Sequence, residues 1–283
     1  YCIVPSTRGR EQSRPAAELI AEIERLTADG VSEVTLLGQN VNSYGRDLPK
    51  GAKTSFSELL AMVDAIDGIE RIRYTSPHPK DMREDVIRAH AELPALCEHI
   101  HLPLQAGSSR ILKAMRRTYN RERYMDRVAM IREMVPDCAL TTDIIVGFPS
   151  ETEADFEETL QVVDQVGYDS AFTFIFSPRR GTAAADLGDQ VPHKVKVERM
   201  ERLVDLVQRR ASERSQRFVG RTMDVLVEGP SRTDPARLRG RIRHNKTVNF
   251  EGVAQPGEYV EVEIGSATST TLAGEQLLLS RLA

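Results

Sequence analysis

The stretch Thr141-Thr-Asp-Ile-Ile-Val-Gly-Phe-Pro-Ser-Glu-Thr152 reads as a buried strand that runs into a Gly-Phe-Pro turn and then a helix start. Ser150-Glu-Thr-Glu153 offers a capping box, and Phe156, Leu160 and Val163 carry the helical period onward. Working outward, the same unit recurs. Strand-like runs lie at 34–37, 72–75 and 99–102 upstream and at 171–176 downstream. Helical patterns fall between them: Leu19, Ile20, Ile23 and Leu26 behind Pro15 with a stop at Gly30, then Phe56 to Ile66 ending near Gly68, Val86 and Ile87, Ile111 to Met115, and Tyr124 to Ile131. Five strands, each separated from the next by at least one helix, predict a parallel α/β sheet, either a barrel or an open doubly wound sheet. Both arrangements gather chemistry at the C-terminal ends of the strands. Those ends carry Gly38-Gln-Asn40, Ser76-Pro-His-Pro79, Pro103-Leu-Gln105, Gly147-Phe-Pro149 and Ser177-Pro-Arg179, a polar rim.

Composition narrows the chemistry. With 283 residues, 40% hydrophobic and 28% charged, the chain has material for one large and one small domain. No run approaches the roughly 20 apolar residues that a membrane-spanning helix requires. A net charge of −4 means that any nucleic-acid site must be local. Three cysteines, Cys2, Cys97 and Cys138, are too few for a disulfide scaffold and point to a reducing cytoplasm. Cys97 and Cys138 lack metal-spaced neighbours and read as structural thiols. His99 and His101 are expected on opposite faces of their strand, and His78 in a rim loop. No His-Glu-x-x-His, P-loop or Gly-x-Ser-x-Gly string supports hydrolytic or nucleoside-triphosphate chemistry. The chain begins at Tyr1 rather than Met and reads as a fragment.

A helix over 191–218 has Met200, Leu203, Val204, Val207 and Ala211 on one face, and its many charges read as a solvated face. Beyond it, short alternating runs at 223–228, 248–250, 259–264 and 277–282 predict a small antiparallel β-barrel. The expected division is therefore 1–217 and 218–283. Arg237, Arg239, Arg241, Arg243 and Lys246 place five cations within ten residues, uninterrupted by acid and followed by Asn249 and Phe250. That pattern suits phosphate contact plus base stacking on RNA.

Taken together, the strings resemble the radical S-adenosylmethionine methylthiotransferases. The similar stretches, in order, are 1–15, 36–45, His101-Leu-Pro-Leu-Gln-Ala-Gly-Ser108, 143–152 and Phe176-Ser-Pro-Arg-Arg-Gly-Thr182. Residues 240–252 resemble the TRAM domain of that family. The resemblance implies a partial (β/α)6 barrel lacking its first strand, followed by a TRAM β-barrel. In the family motif Cys-x-x-x-Cys-x-x-Cys, Cys2 would be the third cysteine. The other two, the first strand and an N-terminal domain with a second cluster are expected before Tyr1, so the chain is expected to be inactive by itself.

The implied cofactors are a [4Fe-4S] cluster and S-adenosylmethionine, whose cleavage yields a 5′-deoxyadenosyl radical. The implied reaction is methylthiolation at C2 of N6-dimethylallyl-adenosine, just 3′ of the tRNA anticodon. By motif position, Gln39, Asn40, Gln105 and Asp143 would face S-adenosylmethionine, and Gly147 and Phe176 would shape its adenine pocket. Arg8, Arg239, Arg241, Arg243, Lys246 and Phe250 would contact RNA. An electron donor such as flavodoxin or ferredoxin, a sulfur donor and a monomeric cytoplasmic state complete the expectation. Rival substrates within the family are a ribosomal-protein aspartate and threonylcarbamoyl-adenosine in tRNA. A rival of another class is a non-catalytic RNA-binding module, from which Cys2 is the discriminating residue.

Overall fold

The computed structural model describes residue 7, residues 9–232 and residues 234–277. Cys2, Arg8 and all but the first residue of the run expected over 277–282 lie outside the described residues. The N-terminal part alternates as its periodicity requires: α1 (Ala16–Ala28), β1 (Glu33–Leu36), α2 (Phe56–Asp64), β2 (Arg71–Tyr74), α3 (Glu84–Glu92), β3 (His99–His101), α4 (Ser109–Ala114), α5 (Arg121–Met134), β4 (Ala139–Val146), α6 (Glu153–Val166) and β5 (Ser170–Ile175). All pairings are parallel and in chain order. β1 pairs with β2, and β3–β4–β5 form a second ladder. A single bridge between Ile72 and Leu96 joins the two ladders. Sequential order identifies a partial barrel, because a doubly wound sheet reverses its strand order partway.

The helix starts show local chemistry at work. Ser55 and Glu58 cap α2 reciprocally. The capping box of α6 lies two residues later than the sequence implies: Thr152 and Asp155 form it, because Ser150 is held at φ +68° and cannot begin a helix.

Period 2 decides what each strand face does. Ile72, Tyr74, Ile100, Leu140, Ile144 and Val146 point outward and are buried against the helices. The inner face is polar, with Glu33, Arg71, Arg73, His99, His101, Thr141 and Asp143. His99 and His101 are thus on one face, contrary to expectation, since residues two apart on a strand share a side. Thr141 Oγ1 lies 3.0 Å from both His99 Nε2 and His101 Nδ1. Cys97 and Cys138 are buried, and burial pushes the Cys138 thiol up to about 12.

α7 (His193–Ser215) leads to a closed barrel of β6 (Thr222–Pro230), β7 (Leu238–Ile242), β8 (Thr247–Glu251), β9 (Tyr259–Ala267) and β10 (Thr271–Gln276). The barrel is not wholly antiparallel. β10 closes it by pairing parallel with β8. Ten residues from Phe218 to Leu272 form its own apolar core. Gly240 keeps regular pairing, and the irregularity falls on β6 between Val227 and Gly229. No helix among the described residues is long and apolar enough to cross a membrane.

The C-terminal barrel docks against the end of the first barrel where the strands begin. Arg71 is fully buried. Its guanidinium donates to Arg241 O at 2.7 Å and to Asp224 Oδ2 at 2.7 Å, and lies 4.8 Å from the Tyr259 ring centre. Arg73 donates to Arg243 O and Ile242 O at 2.8 and 3.0 Å, and Glu33 balances it at 3.1 Å. In return Arg243 grips Glu98 at 2.8 Å, and Lys246 Nζ donates to Asp169 O at 2.8 Å. His244 and Arg221 meet Asp137, holding its carboxyl well below the usual range.

Arg71→Ala leaves a carboxylate and two carbonyls without their partner. The expected cost is about 2–3 kcal/mol, since truncating one member of a buried charged pair strands the other. A lowered urea midpoint together with faster proteolysis near 216–221 checks this; unchanged values refute it.

Candidate functional site

At the opposite end, where the strands finish, the backbone is strained. Ser76 after β2, Gln105 after β3 and Ser150 after β4 have φ of 57°, 68° and 68°. Left-handed geometry costs a non-glycine residue roughly 1–2 kcal/mol, and such strain concentrates where function requires a particular loop path.

A cavity of about 540 Å³ opens beside the end of β1, walled by residues 10–14, by the loop 37–47 and by Lys80. Tyr44 Oη donates to Arg14 O at 2.8 Å, and Gly45 N donates to Ser13 Oγ at 3.0 Å, so the loop and the N-terminal segment are tied together. Gly45 has φ +82°, and a Cβ there would collide with Thr54 O, so only glycine permits this path. Gln39 and Asn40 line the cavity, and Asn40 Nδ2 donates to Asp81 Oδ2 at 2.9 Å. Asn40 Oδ1 is buried without a hydrogen-bond partner. A buried acceptor left open in this way has a place for a ligand's ammonium or hydroxyl group. The cavity wall therefore fits a polar cosubstrate such as S-adenosylmethionine.

The other expected cofactor contacts do not share that cavity. Gln105 is buried; its N–H donates to Asp143 O at 2.8 Å and its carbonyl accepts from Ile145 N at 2.9 Å. The Asp143 carboxylate is partly open on the inner face, 3.4 Å from His101 Nε2. Gly147 and Phe176 are brought together beneath α7. Gly147 N donates to Glu151 Oε2 at 2.6 Å, and Arg199 Nη1 bonds the same carboxylate oxygen at 2.9 Å. The Lys196 side chain fills the space over Gly147, its Nζ donating to Phe176 O at 3.3 Å. An adenine pocket between Gly147 and Phe176 is thus not open: a lysine covers it.

Lys196 and Arg199 escaped the sequence reading because α7 carries so many charges. Their signal was phase, since both fall on the stripe that includes Leu203 and Val207. Asp81 and His101 gave no comparable signal. His78 caps the turn at Pro79, its Nδ1 accepting from Lys80 N.

The expected RNA residues need correction. Phe250 is fully buried in the core of the C-terminal barrel and offers no face to a base. Arg243 and Lys246 are committed to the docking interface. Arg239 and Arg241 alternate outward as expected, but Glu228 on the neighbouring strand pairs with both. An acid absent from the local sequence arrived from across the sheet. Among the described residues no group of His, Cys, Asp and Glu could hold a metal ion.

Residues 1–163 match the radical SAM superfamily, and the chain belongs to that superfamily. Residues 216–277 match the TRAM domain. The family's cofactors are a [4Fe-4S] cluster and S-adenosylmethionine. The chain is 52% identical, over 98% of its length, to a tRNA-2-methylthio-N(6)-dimethylallyladenosine synthase of Clostridium botulinum. It is 51% identical over 97% of its length to the protein of the same name from Acetivibrio thermocellus. It spans 61% and 57% of those proteins. Coproporphyrinogen III oxidase from Escherichia coli shares the fold, with a TM-score of 0.51 at 11% identity, covering 94% of this chain and 65% of that one.

The interior histidines set an acid limit. Burial pushes His78 and His90 down to about 4, and burial with the Arg73 charge pushes His99 well below its ordinary value. Unfolded, these rings take up protons near pH 6.5. Stability is therefore full above that pH and falls as pH drops from 7 towards 4. For fully buried His90 the loss at pH 5 is about 2 kcal/mol. Urea midpoints between pH 7 and 5 check this, and a flat profile refutes it.

Proposed function

We propose that the chain acts in tRNA modification of the MiaB type, placing a methylthio group at C2 of N6-dimethylallyl-adenosine beside the anticodon. The observation that carries the reading is identity of 52% held through both barrels to a synthase of that name, with a strained, cavity-bearing rim at the strand ends. When bound, the cluster and S-adenosylmethionine supply the radical chemistry that activates an unreactive C–H bond.

The chain's own residues bind and orient. Cys2 is the proposed cluster ligand. Asn40 Oδ1 supplies an acceptor to the cosubstrate at the wall that Gln39 shares. His101 holds Asp143 towards the centre of the mouth, where the carboxylate receives a hydroxyl. Gln105 fixes the strand ends on which these groups stand. A small one-electron donor protein, a sulfur donor and a monomeric cytoplasmic enzyme belong to the same proposal.

In a strain lacking the gene, mass spectrometry of digested tRNA is expected to show dimethylallyl-adenosine accumulating and its 2-methylthio form absent. Unchanged 2-methylthio content overturns the substrate.

A further inference from the structure

Charge on the first barrel is sorted by end. The segments leading into β1–β5, residues 29–32, 65–70, 93–98, 135–138 and 167–169, hold six Asp and Glu and no Lys or Arg. The segments leaving those strands, 37–55, 75–83, 102–120, 147–152 and 176–192, hold eleven Lys and Arg against five Asp and Glu. The C-terminal barrel, over 216–277, holds eight of each. Its cations go largely to the acidic end, as with Arg243 on Glu98 and Arg221 on Asp137, or to acids of its own. A polyanion gains affinity from cations that release its counterions, and a cation already paired with a carboxylate contributes less.

Within the basic rim, residues 102–120 contain four Lys and Arg and no acid. Lys113 and Arg116 are exposed and form no ion pair with any described residue. Arg116 stands at φ +58° just past Met115, the C-cap of α4, with its N–H donating to Lys113 O at 3.0 Å and the Arg117 N–H donating to Leu112 O at 2.8 Å. A helix that ends this way ordinarily places glycine at that position. Here the chain carries a left-handed arginine whose side chain is open to water. The same segment reaches the neighbouring strand end, where the Tyr119 ring packs edge-on to His78 at 5.5 Å. Two residues on, Lys80 is exposed, has no acidic partner among the described residues, and lines the 540 Å³ cavity.

We propose that Lys80, Lys113 and Arg116 form a phosphate-contacting arc that seats the RNA backbone over the mouth of the first barrel. This arc, rather than the arginine strand of the C-terminal barrel, supplies the electrostatic part of RNA affinity. The inference rests on the tRNA reading above. It explains a cation at a strained position with no ion-pair partner among the described residues.

The test is binding of a fluorescent, unmodified tRNA transcript to the purified protein across a potassium chloride series. Lys113→Ala combined with Arg116→Ala is expected to weaken binding about tenfold and to make the salt dependence shallower by about 1.4–1.8 in log–log slope. Arg239→Ala combined with Arg241→Ala is expected to change neither. Arg116→Gly separates lost charge from lost fold, because relief of the left-handed strain raises Tm while binding weakens. Wild-type binding by the Lys113/Arg116 variant, or a loss confined to the Arg239/Arg241 variant, overturns the arc and leaves the tRNA reading standing. A wild-type protein with no affinity for tRNA at any salt overturns both.

Discussion

Two guanidinium groups in the floor of the first barrel govern the architecture. Arg71 and Arg73 project inward from one short strand, where an open barrel would otherwise hold water. Their donors are satisfied largely by carbonyls of β7 and the turn that follows it, together with Asp224 and Glu33. A buried guanidinium without acceptors is costly, so the floor is stable only with the second barrel seated on it. The polar interior follows from that arrangement. With charge neutralised at the base, β3 and β4 can present His99, His101, Thr141 and Asp143 inward, towards the mouth where ligands would enter.

Much of the fold was legible because its signals were periodic. The five strands of the first barrel lie within a residue or so of where alternation placed them, and Pro15 and Gly30 flank α1 as their chemistry requires. What was not legible was anything set by contacts distant in sequence. The parallel closure of β10 on β8 joins strands separated by β9, and no local pattern announces it. The capping box of α6 moved because Ser150 was needed in a left-handed turn.

The site was legible by class more than by detail. Motif position brought Gln39 and Asn40 to a real cavity, and Asp143 to the inner face. It missed the lysine that lies over Gly147 and Phe176, which comes from a helix some fifty residues away from Gly147 in sequence. It failed in the arginine strand. Alternation correctly placed the cations outward, but cannot reveal that Glu228 and Glu98 stand opposite them.

The 23-residue helix α7 touches both ends of the first barrel. Near its start, Lys196 fastens to Phe176 just after β5 and Arg199 to the turn after β4; at its end Arg214, and just beyond it Arg217, fasten to Asp169, just before β5. Between Arg199 and Arg214 every residue adds about 1.5 Å of length and about 100° of rotation. The helix thus acts as a gauge block. Deleting one residue from its middle would swing one set of arginines off its anchor whichever end stayed in place, so the spacing between mouth and second barrel is held by a residue count as much as by any side chain.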